Sequence, residues 1–244
     1  MALKVKFISV LTVLLMLVAE VPAKVYLVSV GISDYPGQEK DLNLPVADAR
    51  TITQLYRKNT SVVFSQLLNN KATKSNIVKA MRKVFSRAGT NDIVVFFFSG
   101  HGYPGGFLAY DGEMDYSFVR RGMAVSRCRN KMIFADACFS GKIRNGRRNT
   151  SGSVASARKA SVMLFLSSRS GETSIERMGM SNGFFTTYLQ RGLRGGADAN
   201  RDRIITAKEL FNYVSSGVAR ISGNKQHPVM WGRFSDSMPV MKWK

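Results

Sequence analysis

Met132-Ile133-Phe134-Ala135-Asp136-Ala137-Cys138-Phe139-Ser140-Gly141 is the stretch on which the fold turns: four apolar residues run into an acid, a thiol and a glycine. A second stretch, Val94-Val95-Phe96-Phe97-Phe98-Ser99-Gly100-His101-Gly102, has the same form with a histidine in place of the thiol. Apolar runs this short, closed by glycines, read as strands buried on both faces, and in open α/β sheets ligands bind in the crevice beyond the strand ends. The chain holds two histidines and two cysteines, and one of each stands at such a strand end. A thiol beside an imidazole is the minimum equipment of a cysteine nucleophile with a general base, because the thiolate is the reactive form.

Working outward, Lys24 to Val30 reads as a first strand ending at Gly31, and Val46 to Lys58 as a helix with Val46, Ala49, Ile52 and Leu55 on one stripe. Val62 to Leu68 is a strand, and Thr73 caps a helix that buries Ile77, Ala80, Met81, Val84 and Phe85. Pro104-Gly105-Gly106 and Asp111-Gly112 punctuate a hairpin around Phe107 to Tyr110. A helix from about Ser117 to Arg127 leads into the strand Lys131 to Ala135, followed by an apolar run at Val162 to Leu166. Helices at Phe184 to Leu193 and Ala207 to Ala219 precede a last strand at Val229 to Phe234. Strands alternating with helices predict an α/β fold with a mostly parallel central sheet of about six strands and helices on both faces.

The length of 244 residues, 45% of them hydrophobic, fits one such domain. Lys4 and Lys6 precede the apolar run Phe7 to Val18, and Val21-Pro22-Ala23 follows it, which predicts a secretory signal peptide over 1–23 cleaved after Ala23 and hence an exported protein. Export permits disulfides. Cys128 and Cys138, however, are separated by a strand rising ~3.3 Å per residue, far beyond the ~7 Å Cα limit of a disulfide. Both are expected as free thiols, Cys128 as a small filler at a helix end. The 36 Lys and Arg against 16 Asp and Glu give a formal charge of +20. The basic residues are spread along the chain with no aromatic-interleaved motif, so nucleic-acid binding is not predicted and contact with an anionic surface is what the charge leaves open.

The two strand-end blocks, in this order, resemble the signature blocks of the caspase and metacaspase superfamily of cysteine peptidases. The resemblance runs from Gly31-Ile32-Ser33-Asp34-Tyr35 and Val46-Ala47-Asp48-Ala49 to Gln226-His227-Pro228. It implies a caspase-like three-layer sandwich and an endopeptidase that works by a Cys-His dyad through a thioester. In it Cys138 is the nucleophile, His101 the proton donor, and the N–H groups of Gly102 and Cys138 the oxyanion hole. No third residue stands out as an orienter of His101. Asp136 precedes Cys138 by two, so strand alternation points both to one face. With Asp48 it resembles the acidic first pocket of metacaspase-like enzymes, which implies protein or peptide substrates with Arg or Lys before the scissile bond. A helix-start acid for Asp48 and a strand-end acid bonded to its loop for Asp136 remain the plainer alternatives. Ser167 falls where the family places residues beside the substrate backbone.

The polar stretch 144–161 follows the nucleophile as a basic linker between a large-subunit-like part (24–143) and a small-subunit-like part (162–244). Its Arg144, Arg147, Arg148, Arg158 and Lys159 would be self-cutting sites for such an enzyme. Asp198-Ala-Asn200-Arg-Asp202-Arg-Ile204-Ile205-Thr206-Ala-Lys-Glu209 matches a calcium loop, with oxygens at Asp198, Asn200, Asp202 and Thr206, the Ile204 carbonyl and Glu209. Arg203 departs from it where the sharp turn wants glycine. Calcium is thus a candidate ligand, while the dyad chemistry needs no cofactor. A silent binding module of the same fold, and a clostripain-like or gingipain-like arginine peptidase, stay open on the residues alone.

Overall fold

The apolar runs pair into one sheet in the computed structural model, which describes residues 23–138, 162–169 and 179–243. β1 (Val25–Gly31) lies between β2 (Val62–Leu68) and β3 (Ile93–Tyr103), parallel to both. β4 (Gly106–Ala109) and β5 (Gly112–Asp115) form the expected hairpin, attached to the end of β3. β6 (Asn130–Cys138) runs parallel to β3, and β7 (Met163–Leu166) parallel to β6. β8 (Ile204–Thr206) lies apart, and β9 (Val229–Trp231) closes the main sheet antiparallel to β7. The order β2-β1-β3-β6-β7-β9 matches the predicted mostly parallel sheet of about six strands.

Strand alternation divides the core. Val25, Leu27, Val95, Phe97, Phe134 and Phe165 face α1 (Pro45–Asn59), α4 (Phe184–Arg191) and α5 (Ala207–Ile221). Tyr26, Val28, Val94, Phe96 and Phe98 face α2 (Lys74–Phe85) and α3 (Tyr116–Met123). Phe96, Phe97 and Phe98 are all fully buried, each contributing about 1.5–3 kcal/mol of burial free energy. In a strand, three consecutive buried aromatics require cover on both faces, which makes β3 an interior strand of the sheet.

Some boundaries differ from the sequence reading for identifiable reasons. β3 does not stop at Phe98 but continues through Ser99-Gly100-His101-Gly102, and β6 continues through Asp136-Ala137-Cys138, because each extension pairs with the other. Small and polar residues carry weak strand propensity, and tertiary pairing overrides it here. β9 ends at Trp231 because Gly232 takes φ +136°, and a Cβ there would collide with the Val162 carbonyl oxygen. A further strand, β10 (Pro239–Lys242), pairs antiparallel with β8; opening on proline, it carries no strand signature of its own. Thr73 caps α2 as expected, accepting from the Asn76 N–H, and all five residues predicted on its inner face are buried.

Cys128 is a buried free thiol just beyond α3. Its Sγ–H donates to the Asp92 carbonyl at 2.8 Å, and burial pushes the thiol up to about 11. It is inert packing, as its place in the sequence suggested. Residues 1–22 of the expected signal peptide and the linker 144–161, with its basic self-cutting candidates, lie outside the described residues.

Candidate active site

The joint extension of β3 and β6 sets three register pairs at the carboxyl end of the sheet: Ser99 with Asp136, Gly100 with Ala137, and His101 with Cys138. Adjacent strands are ~4.8 Å apart, so the histidine and cysteine backbones are direct neighbours. The description of Cys138 covers its backbone; its side chain lies outside the described part.

The half-buried His101 is held from three directions. Its Nε2 lies 2.8 Å from the carbonyl oxygen of Lys40. A carbonyl only accepts, so the bond requires the proton on Nε2 and leaves Nδ1 as the basic nitrogen. Its ring packs against Tyr35, centroids 4.9 Å apart and planes tilted by 46°. Its backbone N–H donates to the Tyr35 hydroxyl at 3.0 Å, and that hydroxyl donates to the Leu108 carbonyl at 3.0 Å. Burial pushes the Tyr35 phenol far above its ordinary value, so it remains a donor throughout the neutral range. Gly100 makes room for this: at φ +154° a Cβ would sit 2.5 Å from the Tyr35 oxygen. The loop after β1 brings Tyr35 and Lys40 here, turning at Gly37 (φ +95°) and tied by the Tyr35 N–H to Asp41 at 3.1 Å.

Two buried carboxylates lie beside the register pairs. Asp48, in the first turn of α1, accepts from the Ser99 hydroxyl at 2.8 Å, Asn182 Nδ2 at 2.8 Å and the Gly183 N–H at 3.1 Å. Burial first, and then the charge of Asp136, push its carboxyl well above the usual range, against the pull of those three donors. Asp136 Oδ2 accepts from Thr186 through its N–H at 3.0 Å and its hydroxyl at 2.8 Å. The structure therefore gathers His101, Gly102, Asp48, Asp136 and the Cys138 backbone at one sheet edge.

Ser167 is placed differently from the substrate contact expected of it. It is fully buried, its hydroxyl donates to the Ala137 carbonyl at 2.9 Å, and it accepts from the Ala137 N–H at 3.1 Å. It thus extends the β6–β7 ladder by one side chain and pins the backbone just before Cys138. Gln226, also fully buried, donates through Nε2 to the Ser167 carbonyl at 2.9 Å.

In the 198–209 loop Arg203 takes the left-handed region at φ +66°, the conformation for which the calcium-loop pattern uses glycine. The loop's oxygens, however, face its own amides. Asp198 accepts from the N–H groups of Asp202 and Arg203, Asp202 from that of Ile204, and Asn200 Oδ1 from that of Asp202. Glu209 accepts from Thr206 and Ala199 as half of a capping box on α5. Among the described residues no group of three His, Cys, Asp or Glu is placed to hold a metal ion. Asp198, Asn200, Asp202 and Glu209 thus each give oxygens to hydrogen bonds within the loop.

Sequence reasoning missed five contributors: the Lys40 carbonyl, Tyr35 as a bonding partner of His101, Asn182, Gly183 and Thr186. A backbone carbonyl carries no residue signature. Tyr35 lay inside the resembling Gly31–Tyr35 block, and Asn182-Gly183 before an apolar helix reads as an ordinary turn.

Comparison with known proteins agrees with this fold. The profile of the caspase domain family matches residues 25–237. A solved structure from Geobacter sulfurreducens, a structural genomics target, superposes with TM-score 0.65 at 17% identity, covering 89% of this chain and 97% of that one. Caspase-1 from Spodoptera frugiperda superposes with TM-score 0.63 at 15% identity, covering 91% of each chain. Comparison with curated protein sequences gives no match.

Proposed function

The chain belongs to the caspase domain family, and from that premise we propose that it is an exported cysteine endopeptidase that cuts proteins after Arg or Lys. The observation that carries the chemistry is the register pairing of His101 with Cys138 on adjacent parallel strands, with the Lys40 carbonyl fixing the histidine tautomer. The Cys138 thiolate attacks the scissile carbonyl carbon, and the carbonyl electrons move to oxygen, where the N–H groups of Gly102 and Cys138 receive them; losing one such donor typically costs about 2.7–4 kcal/mol of transition-state stabilisation. Nδ1 of His101 carries the thiol proton to the leaving amine, and a thioester remains. Water, deprotonated by the same nitrogen, hydrolyses the thioester to the carboxylic acid and restores the thiol. No step calls on a metal.

The pocket preference rests on Asp48 and Asp136. Two buried carboxylates in contact through their fields are costly unless a cation joins them. Asp48 takes only neutral donors among the described residues. A guanidinium or ammonium from the substrate brings a positive charge to these acids through charge-assisted hydrogen bonds. With that preference, the basic residues between Arg144 and Lys159 are substrates of the enzyme itself.

The test is covalent labelling with a peptide electrophile that carries arginine at its reactive end. We expect a mass gain located at Cys138, lost in Cys138→Ala and blocked by excess arginyl peptide. Labelling that an aspartyl electrophile matches or exceeds would overturn the pocket assignment.

A further inference from the structure

Asp48 comes from α1 and Asp136 from β6, yet one later five-residue span holds both. Asn182 and Gly183 donate to the same oxygen, Oδ1, of Asp48, at 2.8 and 3.1 Å. Thr186, one turn on, donates twice to Oδ2 of Asp136. Gly183 lies between the acids: a Cβ built on it would meet Asp136 Oδ2 at 2.5 Å while its N–H serves Asp48. Asn182 is itself anchored, exchanging hydrogen bonds of 3.2 and 3.3 Å with the Thr51 hydroxyl of α1.

We propose that the 182–186 span is a specificity clamp that sets the spacing and aim of the two pocket acids, with Asn182 the residue that tunes the pocket toward arginine over lysine. The proposal rests on the reading of Asp48 and Asp136 as the receptor for a basic side chain.

Two like charges in a buried site repel, and unsupported carboxylates would turn apart or keep a proton. Fixed neutral donors on one oxygen of each remove the first escape and bring no charge of their own. The groups bearing on Asp48 are Ser99 from β3, Thr51-anchored Asn182 and Gly183 before α4, and the charged Asp136 from β6. Of these only Asp136 opposes ionisation, and Asn182 is the first of the donors that favour it. A guanidinium presents a rigid planar fork and needs two acceptors at fixed separation, whereas an ammonium is a point charge that tolerates displacement. Loosening the clamp should therefore harm arginine recognition more than lysine recognition.

The experiment compares paired Arg and Lys peptides across pH in the full chain, wild type against Asn182→Ala. We expect KM for the arginyl peptide to rise roughly tenfold, as for loss of one bond to a charged group, with kcat within twofold. KM for the lysyl peptide should change less, and the acidic limb of kcat/KM should move to higher pH. Equal losses on both peptides with an unmoved pH limb would reduce Asn182 to a structural role and overturn the proposal. Should Asn182→Ala fail to fold, Thr186→Val and Thr186→Ser decide: Val is expected to lose arginine preference and Ser to keep it, and two variants alike refute the clamp. A wild type that cuts after neither Arg nor Lys defeats the underlying reading instead, and shows itself before any variant is made.

Discussion

Replacing Ser167 with alanine removes one oxygen from a fully buried site, and the consequences can be worked from its bonds. The hydroxyl donates to the Ala137 carbonyl and accepts from the Ala137 N–H, both buried. Alanine leaves both backbone groups without that partner, and a buried group so stranded costs about 1–3 kcal/mol. The expected loss is about 3 kcal/mol, hence roughly 6–12 °C in Tm for a domain of this size. Ala137 is also the residue before Cys138, whose N–H is one of the two proposed oxyanion donors. Loss of the pin should lower kcat by about tenfold, a fraction of the effect of deleting a donor outright, and leave KM little changed. Thermal unfolding and steady-state kinetics on the purified Ser167→Ala protein read both quantities. An unshifted Tm together with a raised KM would refute this reasoning and restore Ser167 to the substrate contact its position in the sequence implied.

Tyr35→Phe keeps the ring against His101 but removes the hydroxyl shared by the His101 N–H and the Leu108 carbonyl; stability should fall by about 2–3 kcal/mol and kcat with it, and a variant as active and stable as wild type would contradict the assigned hold on His101. Thr206→Ala breaks the capping box of α5 and should cost about 1 kcal/mol in denaturant unfolding. The partner of that box adds a pH signature. Burial raises the Glu209 carboxyl, but the amide and hydroxyl of Thr206 and the amides of Ala199 and Asn200 outweigh it and hold the group below its ordinary value. A depressed carboxyl contributes stability above its unfolded pKa and loses it as pH falls through the folded one. Glu209→Gln should therefore flatten the acid side of the stability profile, and an unaltered acid slope would count against the capping role.

How much the residues disclosed depended on whether the side chain or the pairing carried the signal. The buried face of α2 was legible because Ile77, Ala80, Met81, Val84 and Phe85 recur at helical spacing, and β2 because Val62 to Leu68 is bounded by polar turns. The strand extensions that carry His101 and Cys138 were not, since Ser99-Gly100 and Asp136-Ala137 become strand only by pairing with each other. Ser167 was placed by chain position alone, and nothing in a serine announces that its hydroxyl completes a ladder. Asn182 and Thr186 meet Asp48 and Asp136 from far along the chain, a contact that no local pattern records. The oxygen-rich 198–209 loop shows the converse case, where a ligand-like spacing is equally the spacing of carboxylates that close a turn on its own amides.

The most direct measurement is cleavage of three matched peptides, with Arg, Lys or Asp before the scissile bond, by wild type and by Cys138→Ala. The account predicts cleavage after Arg and Lys, none after Asp, and none by the alanine variant. Cleavage after Asp, or activity that survives the loss of Cys138, would contradict it.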